Sequence, residues 1–278
     1  MSGDVPNVLS IAGSDPSGGA GIQADLKTFA ALEVYGCAVV TALTAQNTIE
    51  IPAVFPVPAD FVRRQIDVLF ADVTIHAVKI GMLGSAAVIR EVAAALRSHG
   101  LAVIVLDPVL RASTGASLLD DDALTALREE LLPLATVVTP NAHEVGILLG
   151  APPPRSIAEA RDAARALVGR GARAVLVSGG HVGDDAACVD VLDDGFMIHE
   201  FSVARITAPL STHGTGCTLS SAIAAFMARG ADLARACADG QLFVAESIAR
   251  GTTLRVGHGV GPVHQLGDLW ARADTLSS

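Results

Sequence analysis

N-V-L-S-I-A-G-S-D-P-S-G-G-A-G-I-Q-A-D-L-K-T-F-A-A-L, Asn7 to Leu32, carries the unit from which the fold is read. Its first part, Asn7 to Ile11, is a short and nearly continuous apolar run. Strict alternation would mark a strand with one wet face, whereas a continuous run marks a strand covered on both. A glycine-rich turn follows, Gly13 to Gly21, and Gly21 to Leu32 then shows helical spacing. Strand, turn and helix in this order are the first half of a parallel βαβ unit.

Working outward, the same unit repeats. Ala38 to Leu43, Ala77 to Ile80, Val103 to Leu106, Thr136 to Val138 and Ala174 to Val177 read as buried strands. Ala59 to Leu69, Ser85 to Ser98, Asp121 to Leu131, His143 to Leu149 and Ile157 to Arg170 read as helices between them. The expected fold is α/β, with a mostly parallel central sheet and helices on both faces. Toward the C-terminus, Cys188 to Leu192 and Phe196 to Val203 flank D-D-G, Asp193 to Gly195, an Asp-Gly hairpin signal. That predicts a short antiparallel edge, closed by helices over Gly216 to Ala228 and Leu233 to Ile248. The segment Ala151 to Arg155, A-P-P-P-R, is the best linker candidate. The same alternation continues on both sides of it, so residues 1–278 are expected to form one domain.

Composition narrows the function classes. The net charge is −10, which argues against a nucleic-acid surface built from clustered Lys and Arg. A local backbone site can still hold phosphate inside an acidic protein. Cys37, Cys188, Cys217 and Cys237 form no C-x-x-C pair and read as reduced thiols. The N-terminus, M-S-G-D-V-P-N, lacks a basic and apolar leader, and no apolar stretch approaches the ~20 residues of a membrane span. The chain is expected to be cytoplasmic, with neither a membrane nor a nucleic-acid partner.

In open α/β sheets, ligands bind at the carboxyl ends of the strands. Those ends are polar here: Gly13 to Gly21, Thr44 to Thr48, Lys79 to Gly84, Asp107 to Val109, Thr139 to Glu144, and Ser178 to His181. The strongest signal is T-H-G-T-G-C-T, Thr212 to Thr218, which opens an apolar helix. Gly214 and Gly216 let the backbone turn with its N–H groups exposed at the positive end of the helix dipole. The run reads either as an anion hole for a phosphoryl group or as an ordinary helix start capped by Thr215. Cys217, in the first helical turn, reads either as a thiol whose pKa the helix end lowers or as a small buried hydrophobe, and its place in the glycine turn favours the first.

The first glycine loop lacks the G-K-[ST] ending of a Walker A motif and is not G-x-G-x-x-G, so it reads as a βα turn that lets backbone approach a small ligand. In T-P-N-A-H-E, Asn141 and Glu144 have capping-box spacing, and both could also face phosphates and magnesium, directly or through water. Asp107, at a strand end before Pro108, is a second candidate acid for the metal, or otherwise a turn former. In G-H-G-V-G-P-V-H, His258 and His264 could bind metal, although a glycine-rich tail packed over the sheet is the simpler reading.

Together these runs resemble the hydroxymethylpyrimidine/phosphomethylpyrimidine kinases of thiamin biosynthesis, within the ribokinase superfamily. The resemblance rests on A-G-S-D-P-S-G-G-A-G-I-Q-A-D-L-K-T, Y-G-C, T-A-L-T-A-Q-N-T, K-I-G-M-L, D-P-V, T-P-N, G-G-H, T-H-G-T-G-C-T-L-S-S-A and G-H-G. It spans a structured core of about residues 7–264. It implies a ribokinase-like fold, ATP and Mg2+ as cofactors, and two successive phosphorylations of one pyrimidine.

Carried over, Asp25, Gln46, Met82 and Val109 would line the pyrimidine pocket, with Gly13 in backbone contact. Gly214, Thr215 and Gly216 would form the anion hole. Cys217 takes the place that many relatives fill with an aspartate base. Thr139, Asn141, Ser178 and His213 would face ATP, with Asp107 and Glu144 toward the metal. Relatives commonly carry a lysine where Ser178 stands, so Lys79 or Arg111 is a candidate replacement by position. A homo-oligomer, a dimer, is expected. The rivals are a pyridoxal kinase of the same superfamily, a non-catalytic relative that keeps the pocket, and, more distantly, a Rossmann dehydrogenase. No segment long enough for a large lid is evident, so a fairly open site is expected.

Overall fold

Two buried faces of one twisted sheet organise the chain in the computed structural model, which describes residues 4–110, 119–181, 186–206 and 211–276. The sheet has eight strands: β1 (Asn7–Ala12), β2 (Tyr35–Val40), β5 (Ala77–Ile80), β6 (Ile104–Leu106), β7 (Val137–Val138), β8 (Val175–Val177), β9 (Ala187–Asp193) and β10 (Ile198–Ala204). Their order is β10-β9-β8-β7-β6-β5-β1-β2. Every pairing from β2 to β8 is parallel, and β9 runs antiparallel to both of its neighbours. The expected antiparallel edge is therefore present, turned at Gly195 with φ 87°.

Helices cover both faces. α2 (Ala59–Phe70), α3 (Ala86–His99), α4 (Asp121–Ala126), α5 (Ala142–Leu149) and α6 (Ile157–Val168) bury Val62, Ile66, Ile89, Leu148 and Leu167 against one face. α1 (Gly21–Ala31), α7 (Thr215–Ala228) and α8 (Leu233–Gly251) bury Phe29, Ile223 and Cys237 against the other. Each such aliphatic or aromatic side chain contributes about 1.5–3 kcal/mol by leaving water. α7 is buried from Thr218 to Ala225, so its N-terminus points from the protein interior toward the strand ends. α3 begins at Ser85, whose hydroxyl accepts from the Val88 amide, and ends at Gly100 in the left-handed region.

The structure departs from the sequence reading in specific places. The run Ala38 to Leu43 is not one strand. β2 ends at Val40, the Thr41 amide donates to Ala12 and its hydroxyl to Met82, and the chain leaves the sheet. It continues as β3 (Ala42–Ala45), paired antiparallel with β4 (Ala53–Pro56). This hairpin is a small flap, where the sequence suggested an open rim. The expected helix Asp121 to Leu131 changes to a π turn over Leu127–Leu131. A short parallel pair, β11 (Ser211–His213) and β12 (Gly261–Pro262), and a helix α9 (Gly267–Leu276) extend the ordered chain past residue 264.

Candidate active site

A cleft of about 530 Å3 opens at the carboxyl ends of the parallel strands. Gly13 follows β1, Met82 follows β5, Asp107 and Val109 follow β6, Thr139 and Asn141 follow β7, and Ser178 follows β8. Gln46 reaches the cleft from the flap, Glu144 from α5, and His213 to Cys217 from the start of α7. Sequence segments far apart thus meet on one rim, as the βαβ topology requires.

Gly214 is the N-cap of α7, with φ 88° and no side-chain cap. A side chain there would be strained by the left-handed backbone, and its Cβ would stand 1.8 Å from the Gly19 carbonyl oxygen. Thr215 is the first helical residue and does not cap. The first-turn amides are left to the cleft, where the helix dipole favours an anion.

Cys217 corrects one expectation. Its thiol is pushed up to about 12, not lowered. Burial is the main cause, and the Asp107 and Asp25 carboxylates add to it. The nearby Lys79 ammonium and the Gly21 amide oppose them without prevailing. The thiol hydrogen-bonds to Asp107. A helix N-terminus lowers a thiol pKa only where desolvation and carboxylates do not outweigh it.

Asp107 and Glu144 are buried near each other at the cleft floor. Burial first, and then the Asp107 charge, raises Glu144 to about 8. Burial also raises Asp107, against the pull of Lys79. Glu144 completes a capping box: it accepts from the Asn141 amide at 2.9 Å, and Asn141 accepts from the Glu144 amide at 3.0 Å. Two hard carboxylates short of positive charge suit Mg2+, which needs few protein oxygens when waters and phosphates complete its shell. Among the described residues no group of three or more His, Cys, Asp or Glu could hold a metal ion. His264 instead packs edge-on against Trp270, with ring centroids 4.5 Å apart.

Across the cleft, Met82 lies over Gly13, where a Cβ would meet its Cε at 2.5 Å. Gln46 accepts from the Thr44 hydroxyl at 3.2 Å, which leaves its amide N–H groups for a ligand. Asp25, expected on the pocket wall, is fully buried beneath it and does not line the cleft. Its carboxylate accepts from Ser10 at 2.6 Å, from Ser221 at 2.8 Å and from Lys79 at 2.9 Å. The reason is the helical phase of α1, which turns residues 24, 25, 28 and 29 inward. Lys79 is thereby committed. Burial opposes its charge, but Asp25 and Asp107 raise its pKa.

At the end of β8, Ser178 bridges to Asn141, and its amide donates to the Pro140 carbonyl at 3.0 Å. Lys79 is held by Asp25, and Arg111 lies outside the described residues. The sequence reading missed Asp15, which lines the cleft and contacts His213 at 2.8 Å. A separation of 198 residues left no local signal for that pair.

A family model described as phosphomethylpyrimidine kinase matches residues 15–264. The chain is 44% identical over 264 residues to the hydroxymethylpyrimidine/phosphomethylpyrimidine kinase of Escherichia coli (strain K12), covering 95% of this chain and 98% of that one. It is 47% identical over 262 residues to the protein of the same description from Rhizobium meliloti (strain 1021), covering 94% and 97%. Among solved structures, an ADP complex of Bacillus subtilis pyridoxal kinase superposes with a TM-score of 0.87 at 34% identity, over 96% of this chain and 99% of that one. With this ribokinase-like architecture, the chain belongs to the phosphomethylpyrimidine kinase family, small-molecule phosphotransferases of thiamine biosynthesis.

Proposed function

We propose that the chain transfers the γ-phosphoryl group of ATP to 4-amino-5-hydroxymethyl-2-methylpyrimidine, and then a second phosphoryl group to the resulting phosphate. The observation that carries this is the left-handed Gly214 turn, which delivers the amides of α7 into a cleft lined by Gln46, Met82 and Val109. Gln46 presents amide groups to an aminopyrimidine edge, Met82 and Val109 supply apolar walls, and Gly13 offers backbone. Thr139, Asn141 and Ser178 take the nucleotide side, while the His213 ring is held by Asp15.

Preorganised donors at the start of α7 oppose the charge that develops on the transferred group. Asp107 and Glu144 would hold Mg2+, in part through water; bound there, the ion would neutralise phosphate charge. Asp25 acts from below, by fixing Lys79, Ser10 and Ser221. Cys217 relays the hydroxymethyl proton: its protonated thiol passes its own proton to the Asp107 carboxylate that it contacts as the sulfur takes the proton of the hydroxyl. The second step starts from a phosphate monoester, whose second pKa of about 6 makes it already anionic.

The test is steady-state turnover of ATP with hydroxymethylpyrimidine, its phosphate and pyridoxal side by side. The proposal expects kcat/KM for the pyrimidine to exceed that for pyridoxal. The reverse order selects pyridoxal kinase, the reading favoured by the likeness to the Bacillus subtilis enzyme. No turnover with any of them selects a non-catalytic binder. No helix among the described residues is long and apolar enough to cross a membrane. We place the enzyme in the cytoplasm as one domain that dimerises through exposed Leu43, Phe55 and Phe61 on the flap and α2. Sedimentation of Phe55→Ser as a monomer would support that surface, and an unchanged dimer would reject it.

A further inference from the structure

The loop Gly13 to Gly21 was open to reading as a ligand contact, but its bonds are directed elsewhere. Asp15 Oδ1 accepts from the Ser17 amide at 2.8 Å and from the Ser17 hydroxyl at 2.7 Å. Its Oδ2 accepts from the Ala20 amide at 2.9 Å and meets His213 Nε2 at 2.8 Å. The Asp15 amide donates to Gln23 Oε1 at 2.8 Å, which ties the loop to α1. One carboxylate therefore gathers its own loop and reaches across to the residue before Gly214.

The glycines fit the same arrangement. A Cβ on Gly19 would stand 2.2 Å from His213 Cδ2, so the imidazole lies directly on that glycine. A Cβ on Gly214 would strike the Gly19 carbonyl oxygen. Loop and anion turn are in backbone contact, and neither tolerates a side chain at the junction. The pair is nearly enclosed, with side chains 10% exposed for His213 and 3% for Asp15, so water competes little for its hydrogen bond. Burial opposes the Asp15 charge, yet His213, Ser17 and Ala20 together hold its pKa below the ordinary value. On the far side, the His213 carbonyl accepts from the Val263 amide at 3.2 Å, which fixes the backbone of that residue from just past β12.

We infer that Asp15 is a positioning residue for phosphoryl transfer: acting through His213, it fixes the Thr212–Gly216 backbone so that the first amides of α7 meet the transferring group. The inference rests on the kinase reading above. It assigns the D-P-S-G-G-A-G loop a task in shaping the anion hole, beside the backbone contact expected of Gly13. Misplacement of a reacting geometry by about 1 Å is worth about 100-fold in rate, with little effect on ground-state binding.

The experiment uses the full chain and the variants D15N, H213A, H213Q and D15N/H213A. D15N and H213A are expected to lower kcat by about 30- to 100-fold in both phosphorylation steps, with KM for pyrimidine and ATP within about threefold. The double variant should lose no more than the worse single, because the two residues act as one unit. H213Q keeps a nitrogen donor for Asp15 and should recover at least about tenfold over H213A. Deuterium uptake in the peptide spanning residues 211–218 should rise in D15N and H213A and return in H213Q.

Losses that multiply in the double variant, a loss carried by KM, or uptake unchanged in the variants would overturn the inference. If D15N does not fold, H213A against H213Q gives the same reading. Wild-type protein that turns over no substrate refutes the kinase reading instead, and the uptake measurement then still decides whether Asp15 and His213 fix the Thr212–Gly216 backbone.

Discussion

Lys79 Nζ lies 2.9 and 3.0 Å from the two carboxylate oxygens of Asp25, and both side chains are fully buried beneath the cleft. An ammonium and a carboxylate this deep hold only because each is well partnered. Asp25 also accepts from Ser10 and Ser221, so strand β1, strand β5 and helices α1 and α7 meet at one carboxylate. α7 begins at the Gly214 turn, so the bond from Ser221 ties the helix behind that turn to the sheet.

Removing the cation alone should therefore be costly. Lys79→Met leaves the Asp25 charge buried with only hydroxyl donors, and the expected loss is about 3–5 kcal/mol. The double variant Asp25→Asn, Lys79→Met, which removes both charges of the pair, should lose less than the single one. Guanidinium unfolding of the three proteins measures this. A single variant within about 1 kcal/mol of wild type would mean that water reaches the pair.

Cys217→Ala separates the two chemical steps. A base is needed while a hydroxyl becomes a nucleophile, and positioned bases contribute about 100-fold or more. The monoester of the second step needs none. The first phosphorylation should fall by about 100-fold and the second by less than about threefold, each measured with its own substrate in single-turnover assays. Equal losses would show that Cys217 shapes the cleft and handles no proton.

Much of this was legible in the chain, and the limits have physical causes. Continuous apolar runs such as Val8 to Ile11 mark strands covered on both faces, and they placed β1, β5, β6 and β8 within a residue or two. The rim followed, because parallel topology forces strand ends together. Asp25 was misplaced because motif spacing does not encode helical phase: its neighbours Ala24 and Thr28 share its buried face, which turns it inward. The flap was hidden because β2 and β3 are separated only by Thr41, whose bonds to Ala12 and Met82 are tertiary. The Cys217 thiol was misjudged because a helix end is visible in sequence, while the Asp107 and Asp25 carboxylates beside it are not.

The antiparallel edge offers a pH test away from the cleft. Asp194 accepts from the amides of Met197 and Phe196 and meets His199 at 2.8 Å, and these partners lower its pKa from 3.8 to about 2. The folded value lies below the unfolded one. The stabilisation is therefore complete above about pH 4 and is lost as pH falls toward about 2. Both side chains are partly exposed, so screening limits it to about 1 kcal/mol. Asp194→Ala should unfold about 1 kcal/mol more easily in urea at pH 6, with the gap from wild type closing by about pH 2. A gap that persists there would assign the effect to turn geometry and not to charge.

The last prediction concerns G-H-G, which the kinase chemistry leaves without a task. Gly257 has φ 65°, and a Cβ on it would stand 2.2 Å from Thr48 Oγ1. A Cβ on Gly259 would stand 1.9 Å from the Thr48 carbonyl oxygen, and the Gly259 amide donates to Thr48 Oγ1 at 3.1 Å. Thr48 sits two residues past Gln46 in the loop of the flap, so the C-terminal glycines seat the segment that presents Gln46. Gly257→Ala must push that loop away while leaving the α7 turn in place. KM for the pyrimidine should rise by about tenfold, and KM for ATP should stay within about twofold. Thr48→Ala in the same background removes the hydroxyl that clashes and should return part of the loss. If the second change brings no recovery, the added methyl acts through backbone strain at Gly257 and not through the flap.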